Sequence, residues 1–195
     1  MIFAKTKFAD AFVVELGKHE DARGFFARAW CDHEFAAQDI NAQWVQANLA
    51  YSKVKGTLRG LHYQAAPYQE AKLMRCIRGA IYDVILDLRP ESPTYKQWLG
   101  VVLTAENRKA LYVPEGFAPG YQTLMNDSEV FYPVSQFYTP GSEQGIRWND
   151  PAFGIQWPLT EGLVISEKDQ NWPDYMDEPS TCPGSETSNG RTSSR

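Results

Sequence analysis

The chain has three histidines among its 195 residues, and His62 lies in the segment 55–64, KGTLRGLHYQ, close to Arg59. Imidazole changes charge near neutrality and is the side chain most used to move protons, while a guanidinium grips phosphate with a planar fork. The segment reads as a strand, and strict alternation places Arg59 and His62 on opposite faces, so one pocket lined by both needs a bulge at Gly60. Lys72, in YQEAKLMRCIRG, shares a face with Met74 and Cys76, leaving Leu73, Arg75 and Ile77 on the other. A lysine among apolar neighbours either meets an anion or snorkels its amine to water. Tyr132 and Tyr138 in FYPVSQFYTP, and Asp169 in SEKD, complete the residues with chemical potential. Taken singly, each also has a structural reading: a satisfied core histidine, core tyrosines with wetted hydroxyls, a solvated turn.

The elements that must position these residues are mostly strands. Runs rich in Val, Ile, Tyr and Trp, such as 80–88 (AIYDVILDL) and 98–103 (WLGVVL), alternate with turn clusters such as 89–94 (RPESPT). Short, regularly punctuated strands indicate an all-β barrel or sandwich. The segment 111–124, LYVPEGFAPGYQTL, reads as a hairpin about a Pro-Glu-Gly turn. Helix is a minor component: 31–39 (CDHEFAAQD) is a helix with Asp32 as its cap and Phe35 on its buried side, and a shorter turn is expected at 104–109. A barrel that binds metal needs imidazoles converging from a His-x-His pair and from a later strand. Here the first place offers only His62, in HYQ, and Pro119 stands at the second, so no protein-bound metal is expected.

The formal charge of −5 argues against nucleic acid as the main partner, although a basic pocket in an acidic protein still suits a phosphorylated metabolite. No stretch approaches the roughly 18 apolar residues of a membrane span, and the first residues lack a signal-peptide core. Cys31, Cys76 and Cys182 show no metal-ligand spacing and fit a reducing compartment, so a cytoplasmic protein is expected. Residues 1–175 are read as one domain, and 176–195, which are nearly all polar or small, as a disordered tail.

Read together, the stretches DARGFF, QANLAYS, GTLRGLHYQ, AKLMRCIRGAIYDVILDLRPESPTY, TAENRKALYVPEGFA, IRWNDPAFGIQWP and SEKD resemble the dTDP-4-dehydrorhamnose 3,5-epimerase family from about residue 8 to 172. The resemblance implies a cupin-type jelly-roll barrel with a few short helices, usually a homodimer, acting without a cofactor on a dTDP-linked 4-keto-6-deoxyhexose. By the same resemblance His62 is the base, Asp169 orients it, Tyr132 is the acid, and Lys72 stabilises the enolate. Arg23 and Arg59 match diphosphate-binding positions, and Phe26, Gln46, Asn48 and Tyr138 match nucleotide-binding ones.

Three residues depart from the family pattern. Pro119 replaces a substrate-facing histidine, Arg28 stands where relatives generally carry Glu near the nucleotide, and Ala50 replaces a Ser. None touches the four catalytic candidates. The expected reaction inverts C3 and C5 of dTDP-4-dehydro-6-deoxy-D-glucose to give dTDP-4-dehydro-L-rhamnose. Inversion of a single carbon, or of a related nucleotide sugar, is the alternative within the class; a non-catalytic sugar-nucleotide binding module, indifferent to loss of His62, is the alternative outside it.

Overall fold

The computed structural model describes residues 1–40 and 43–176, so the expected tail lies, except for Met176, outside the described residues, as does Cys182. Its strands are β1 (Ile2–Lys5), β2 (Phe12–Glu15), β3 (Lys18–Asp21), β4 (Gly24–Ala27), β5 (Gln46–Ser52), β6 (Thr57–Arg59), β7 (His62–Gln64), β8 (Lys72–Arg78), β9 (Ala80–Asp87), β10 (Trp98–Thr104), β11 (Ala110–Val113), β12 (Phe117–Thr123), β13 (Ser128–Val134), β14 (Glu143–Gly145) and β15 (Val164–Ile165). The helices are α1 (Asp32–Ala36) and α2 (Glu167–Gln170).

Two sheets face each other: a six-stranded one ordered β1-β2-β11-β8-β13-β5 and a five-stranded one ordered β10-β9-β12-β6-β15. Alternation decides what fills the space between them. Met74 and Cys76 of β8, Leu111 and Val113 of β11 and Val130 of β13 meet Ile81 and Ile85 of β9, Leu103 of β10 and Phe117 of β12 in one buried cluster. The expected face of Lys72, Met74 and Cys76 is therefore the interior one. Burying each such large apolar side chain is worth roughly 1.5–3 kcal/mol, and this core is what closes the barrel. Of the other two clusters, one packs Phe35 of α1 on Phe12, Leu73 and Tyr112, and the other packs Phe153 and Trp157 on Leu58, Val84 and Leu86.

The expected strands at 80–88 and 98–103 appear as β9 and β10, paired antiparallel from Trp98↔Leu86 to Thr104↔Ala80. Three local readings need correcting. Helix α1 is shorter than 31–39 and is capped by Cys31, whose side chain makes no cap bond, rather than by Asp32; Asp39, with φ +60°, lies beyond its end. The segment 111–124 is not a hairpin: β11 pairs with β2 and β8, β12 with β9 and β6, and the Pro-Glu-Gly turn carries the chain between the sheets. Gly116, at φ +81°, makes that turn, and a Cβ there would meet the Arg89 side chain at 2.5 Å. Finally, 55–64 is not one bulged strand. It breaks at Gly60, after which β7 leaves the five-stranded sheet and pairs with β14.

Candidate active site

Gly60 is the residue that makes the site possible. Its φ of +116° is unfavourable for an L side chain, and a Cβ there would sit 2.5 Å from Gly120 Cα and 3.0 Å from the Pro119 carbonyl oxygen. The break it allows re-aims the chain, so Arg59 and His62, which lie on opposite faces of an unbroken strand, line one cavity of about 490 Å³. Pro119 lines the same cavity. Proline has no N–H, but β6 pairs with β12 only at Tyr121 and Gln122, so no ladder bond to β6 is lost at that position.

Asp169 reaches this cavity from the far end of the chain. The short β15 lies parallel to β6 and delivers α2, whose Ser166 side chain accepts from the Asp169 N–H at 3.1 Å. The carboxylate is buried, with Oδ1 2.6 Å from His62 Nε2 and Oδ2 accepting from the Gly60 N–H at 3.3 Å. Burial opposes its ionisation. The hydrogen bond and charge of His62, aided by Gly60 and Ser166, outweigh burial and hold the carboxyl below its usual range. An ionised acceptor at Nε2 selects the tautomer that carries its proton there, which leaves Nδ1 as the basic nitrogen.

A second cavity of about 230 Å³ adjoins the first, and His62, Lys72 and Tyr132 line both. Tyr132 projects from β13, opposite Asn48 of β5. Burial first, and the charge of Glu70 second, push its hydroxyl above the usual phenol range, with Arg59 pulling the other way. Lys72 does not snorkel. Its ammonium is 3.0 Å from Glu70 Oε1 and 3.4 Å from the His62 carbonyl oxygen, and its side chain is only 11% exposed. Gln46, Asn48 and Tyr138 line the smaller cavity, where Gln46 Nε2 donates to Asn48 Oδ1 at 3.2 Å. Arg59 is aimed by neutral acceptors, the Ser52 hydroxyl at 3.2 Å and the Tyr51 carbonyl at 3.1 Å, so among the described residues no carboxylate neutralises its charge.

The single chain does not bring Arg23, Phe26 and Arg28 to these cavities. They belong to the hairpin of β3 and β4 and the residue after it, and among the described residues the two strands pair only with each other. Asp21 organises the hairpin turn, accepting from the Arg23 N–H at 2.8 Å and pairing with its guanidinium at 2.6 Å. Phe26 is 75% exposed, and Arg28 is paired with Glu34 at 3.0 Å. Among the described residues no group of three His, Cys, Asp or Glu side chains is placed to hold a metal ion.

Sequence reasoning passed over Glu70 and Asp83. Asp83 is fully buried, and neither carboxyl oxygen has a hydrogen-bond partner among the described residues. Burial pushes its carboxyl well above the usual range, against the pull of the Lys72 charge. A signal existed for it, because Asp83 interrupts the apolar face of Ile81 and Ile85. Glu70 lies in a connection before β8, where no periodicity points inward.

A buried carboxylate that fixes one imidazole nitrogen frees the other as a base, and a phenol and an ammonium share its cavities. A jelly-roll barrel with that inner surface falls among enzymes that shift protons by acid–base catalysis. The family model described as dTDP-4-dehydrorhamnose 3,5-epimerase matches residues 5–177, and the chain belongs to that family. It is 42% identical over 179 residues to the dTDP-4-dehydrorhamnose 3,5-epimerase of Methanothermobacter thermautotrophicus, covering 91% of this chain and 96% of that protein. The crystal structure of the Bacillus anthracis enzyme of the same name, with TDP and PPi bound, superposes with a TM-score of 0.86 at 40% identity, covering 89% of this chain and 99% of that one. A 3'-monoepimerase from Streptomyces bikiniensis in complex with dTDP-quinovose superposes at 0.79 with 33% identity, covering 87% and 85%.

Proposed function

We propose that this chain is a carbohydrate epimerase that inverts C3 and C5 of dTDP-4-dehydro-6-deoxy-D-glucose, giving dTDP-4-dehydro-L-rhamnose. The observation that carries the reading is the His62–Asp169 pair opening on cavities that it shares with Tyr132 and Lys72. The 4-keto group acidifies the hydrogens on its neighbouring carbons, so the substrate supplies its own electron sink. His62 Nδ1 takes the proton from C5, the C–H electrons move into the C4–O4 system, and O4 becomes an enolate oxygen. Asp169 stabilises the imidazolium. The Lys72 ammonium faces a charge that exists only after proton removal, which favours the transition state over the ground state. His62 and Tyr132 come from strands of different sheets, and Tyr132 O–H returns a proton to the face opposite the one that lost it. Exchange with water resets phenolate and imidazolium, and the cycle repeats at C3.

Arg59 takes the diphosphate, and Gln46, Asn48 and Tyr138 take the nucleotide side. The active form is a homodimer. Edge strand β5 exposes Leu49 and Tyr51, Phe131 lies opposite Leu49 on β13, and this apolar face fits a second copy. The hairpin, with Arg23 and Phe26 unused by its own cavities, serves the site of the partner subunit. On that reading, mixing Arg23→Ala protein with His62→Ala protein restores activity that neither has alone. The free thiols of Cys31 and Cys76 suit a reducing cytoplasm. Among the described residues no helix is long and apolar enough to cross a membrane.

The test is proton NMR of the substrate in deuterated water with wild-type and His62→Ala enzyme. Deuterium entering both C3 and C5, and neither with the variant, is the expected result. Exchange at one carbon alone favours single-carbon inversion, a reading supported by the monoepimerase likeness and by Pro119 on the cavity wall. Binding of the nucleotide sugar with no exchange above the variant reduces the chain to a binding module.

A further inference from the structure

The chemistry above leaves Glu70 without a role, yet its carboxylate is among the most carefully held groups at the site. Its side chain is 13% exposed, Oε1 lies 3.0 Å from the Lys72 ammonium, and Oε2 lies 3.4 Å from Gln64 Nε2. Gln64 is itself locked, donating to the carbonyls of Tyr68 and Phe137 and accepting from the Thr139 N–H and the Ser142 hydroxyl. Glu70 is thus fixed to a rigid polar knot, and it lines the smaller cavity together with Lys72 and Tyr132. Taking a carboxylate this far out of water is costly, and filling space does not require it. A lysine, by contrast, has a compact charge on a flexible four-carbon stem and stays in one place only when an anion holds it.

We propose that Glu70 is a positioning residue of the epimerase site: its carboxylate pins the Lys72 ammonium where the two cavities meet and sets a fixed negative charge against the Tyr132 phenol. The proposal rests on the enolate role of Lys72 and the acid role of Tyr132 given above. Besides Glu70, the charged and titratable groups lining the cavities with Tyr132 are Lys72 on β8, Arg59 on β6, His62 and Tyr63 on β7, Tyr121 on β12, Glu143 on β14, Lys168 and Asp169 on α2, and Tyr138, with Asp83 of β9 near Tyr121. Strand β5 lines the cavities with the uncharged Gln46, Asn48 and Ala50. Besides burial, the influence that resists loss of the Tyr132 proton is the charge of Glu70; Arg59 favours that loss. Glu70 thereby keeps the phenol in the form able to donate.

The experiment measures kcat and KM against pH for full-length wild type, Glu70→Gln, Glu70→Asp and Tyr132→Phe, with circular dichroism to establish folding. Glu70→Gln is expected to move the basic limb of kcat/KM to lower pH and to lower kcat on the order of tenfold, as slight misplacement of a catalytic group does. KM changes little, because the nucleotide is held elsewhere. Glu70→Asp keeps the charge, so its basic limb stays with wild type while kcat falls. A folded Glu70→Gln enzyme with wild-type limb and kcat overturns the proposal. So does a set of variants that lose only melting temperature. Undiminished turnover by Tyr132→Phe rejects instead the reading on which the proposal rests, whatever the Glu70 variants do.

Discussion

Replacing Asp169 with Asn changes one atom and tests the core of the mechanism. Two effects combine. An amide at 2.6 Å from Nε2 no longer selects the tautomer with its proton there, and the carboxylate charge that stabilises the forming imidazolium is gone. Opposite charges about 4 Å apart interact by about 4 kcal/mol at an effective dielectric of about 20, and by about 1 kcal/mol in water. The Asp169 side chain is 5% exposed and that of His62 32%, so the pair lies nearer the first value. Allowing for the half-open imidazole, about 3–4 kcal/mol is lost, which is a fall in kcat of roughly 10²–10³. The assay is initial-rate deuterium incorporation at C3 and C5 with saturating substrate, together with dTDP affinity, which should barely change because Asp169 faces the imidazole. A loss below about tenfold in a folded protein refutes the argument, because the carboxylate would then be neither orienting nor charging the base.

Three other outcomes follow from particular residues. Gly60→Ala forces a Cβ into Gly120 at a backbone angle of +116°, so a loss of at least about 1–3 kcal/mol is expected in chemical denaturation, with His62 activity lost in step. Asp83→Asn removes a group whose carboxyl is held above its usual range by burial. In wild type the folded form keeps that proton after the unfolded form has lost it, so stability falls as pH rises above about 4. The variant should therefore gain melting temperature relative to wild type between pH 4 and 7, and a constant difference across that range contradicts the burial argument. Asp87 behaves oppositely. Burial works against its ionisation, but Arg89, Ser92 and Thr94 hold it at about 2, so it contributes about 2 kcal/mol above pH 4 that is lost as pH falls through 2. Acid unfolding of Asp87→Asn should lack that slope.

Much of this architecture was legible because alternation is a strong signal where one face of a strand is buried. Lys72, Met74 and Cys76 face inward as their spacing requires, and β9 and β10 begin where their apolar runs begin. What alternation cannot express is a change of partner. The stretch from Leu111 to Leu124 has the composition of a hairpin, and only the competition for strand neighbours sends β11 and β12 to different sheets. Gly60 was legible as a place where regularity must fail, but not the manner of failure, because a bulge and a full break both begin with a glycine free to adopt positive φ. The family motif brought His62, Lys72, Tyr132 and Asp169 into one list, and the structure brings them to one pair of cavities. Glu70 escaped notice because a carboxylate in a connection looks solvated, and its burial depends on Gln64 and Lys72. The hairpin residues show the opposite limit, since nothing among the described residues draws Arg23 and Phe26 toward the cavities.

The His62–Asp169 contact spans 107 positions in the chain, and the carboxylate arrives on the last strand and helix of the described fold. Bringing such distant segments together carries a large loop-closure entropy, which places the event late in assembly. The apolar core between the sheets, from Phe8 to Val130, needs no residue of β15 or α2. A folding chain therefore acquires a compact interior before it acquires a competent base. Turnover regained during refolding consequently reports on docking of the final segment rather than on collapse, and it should lag behind the fluorescence change of core formation.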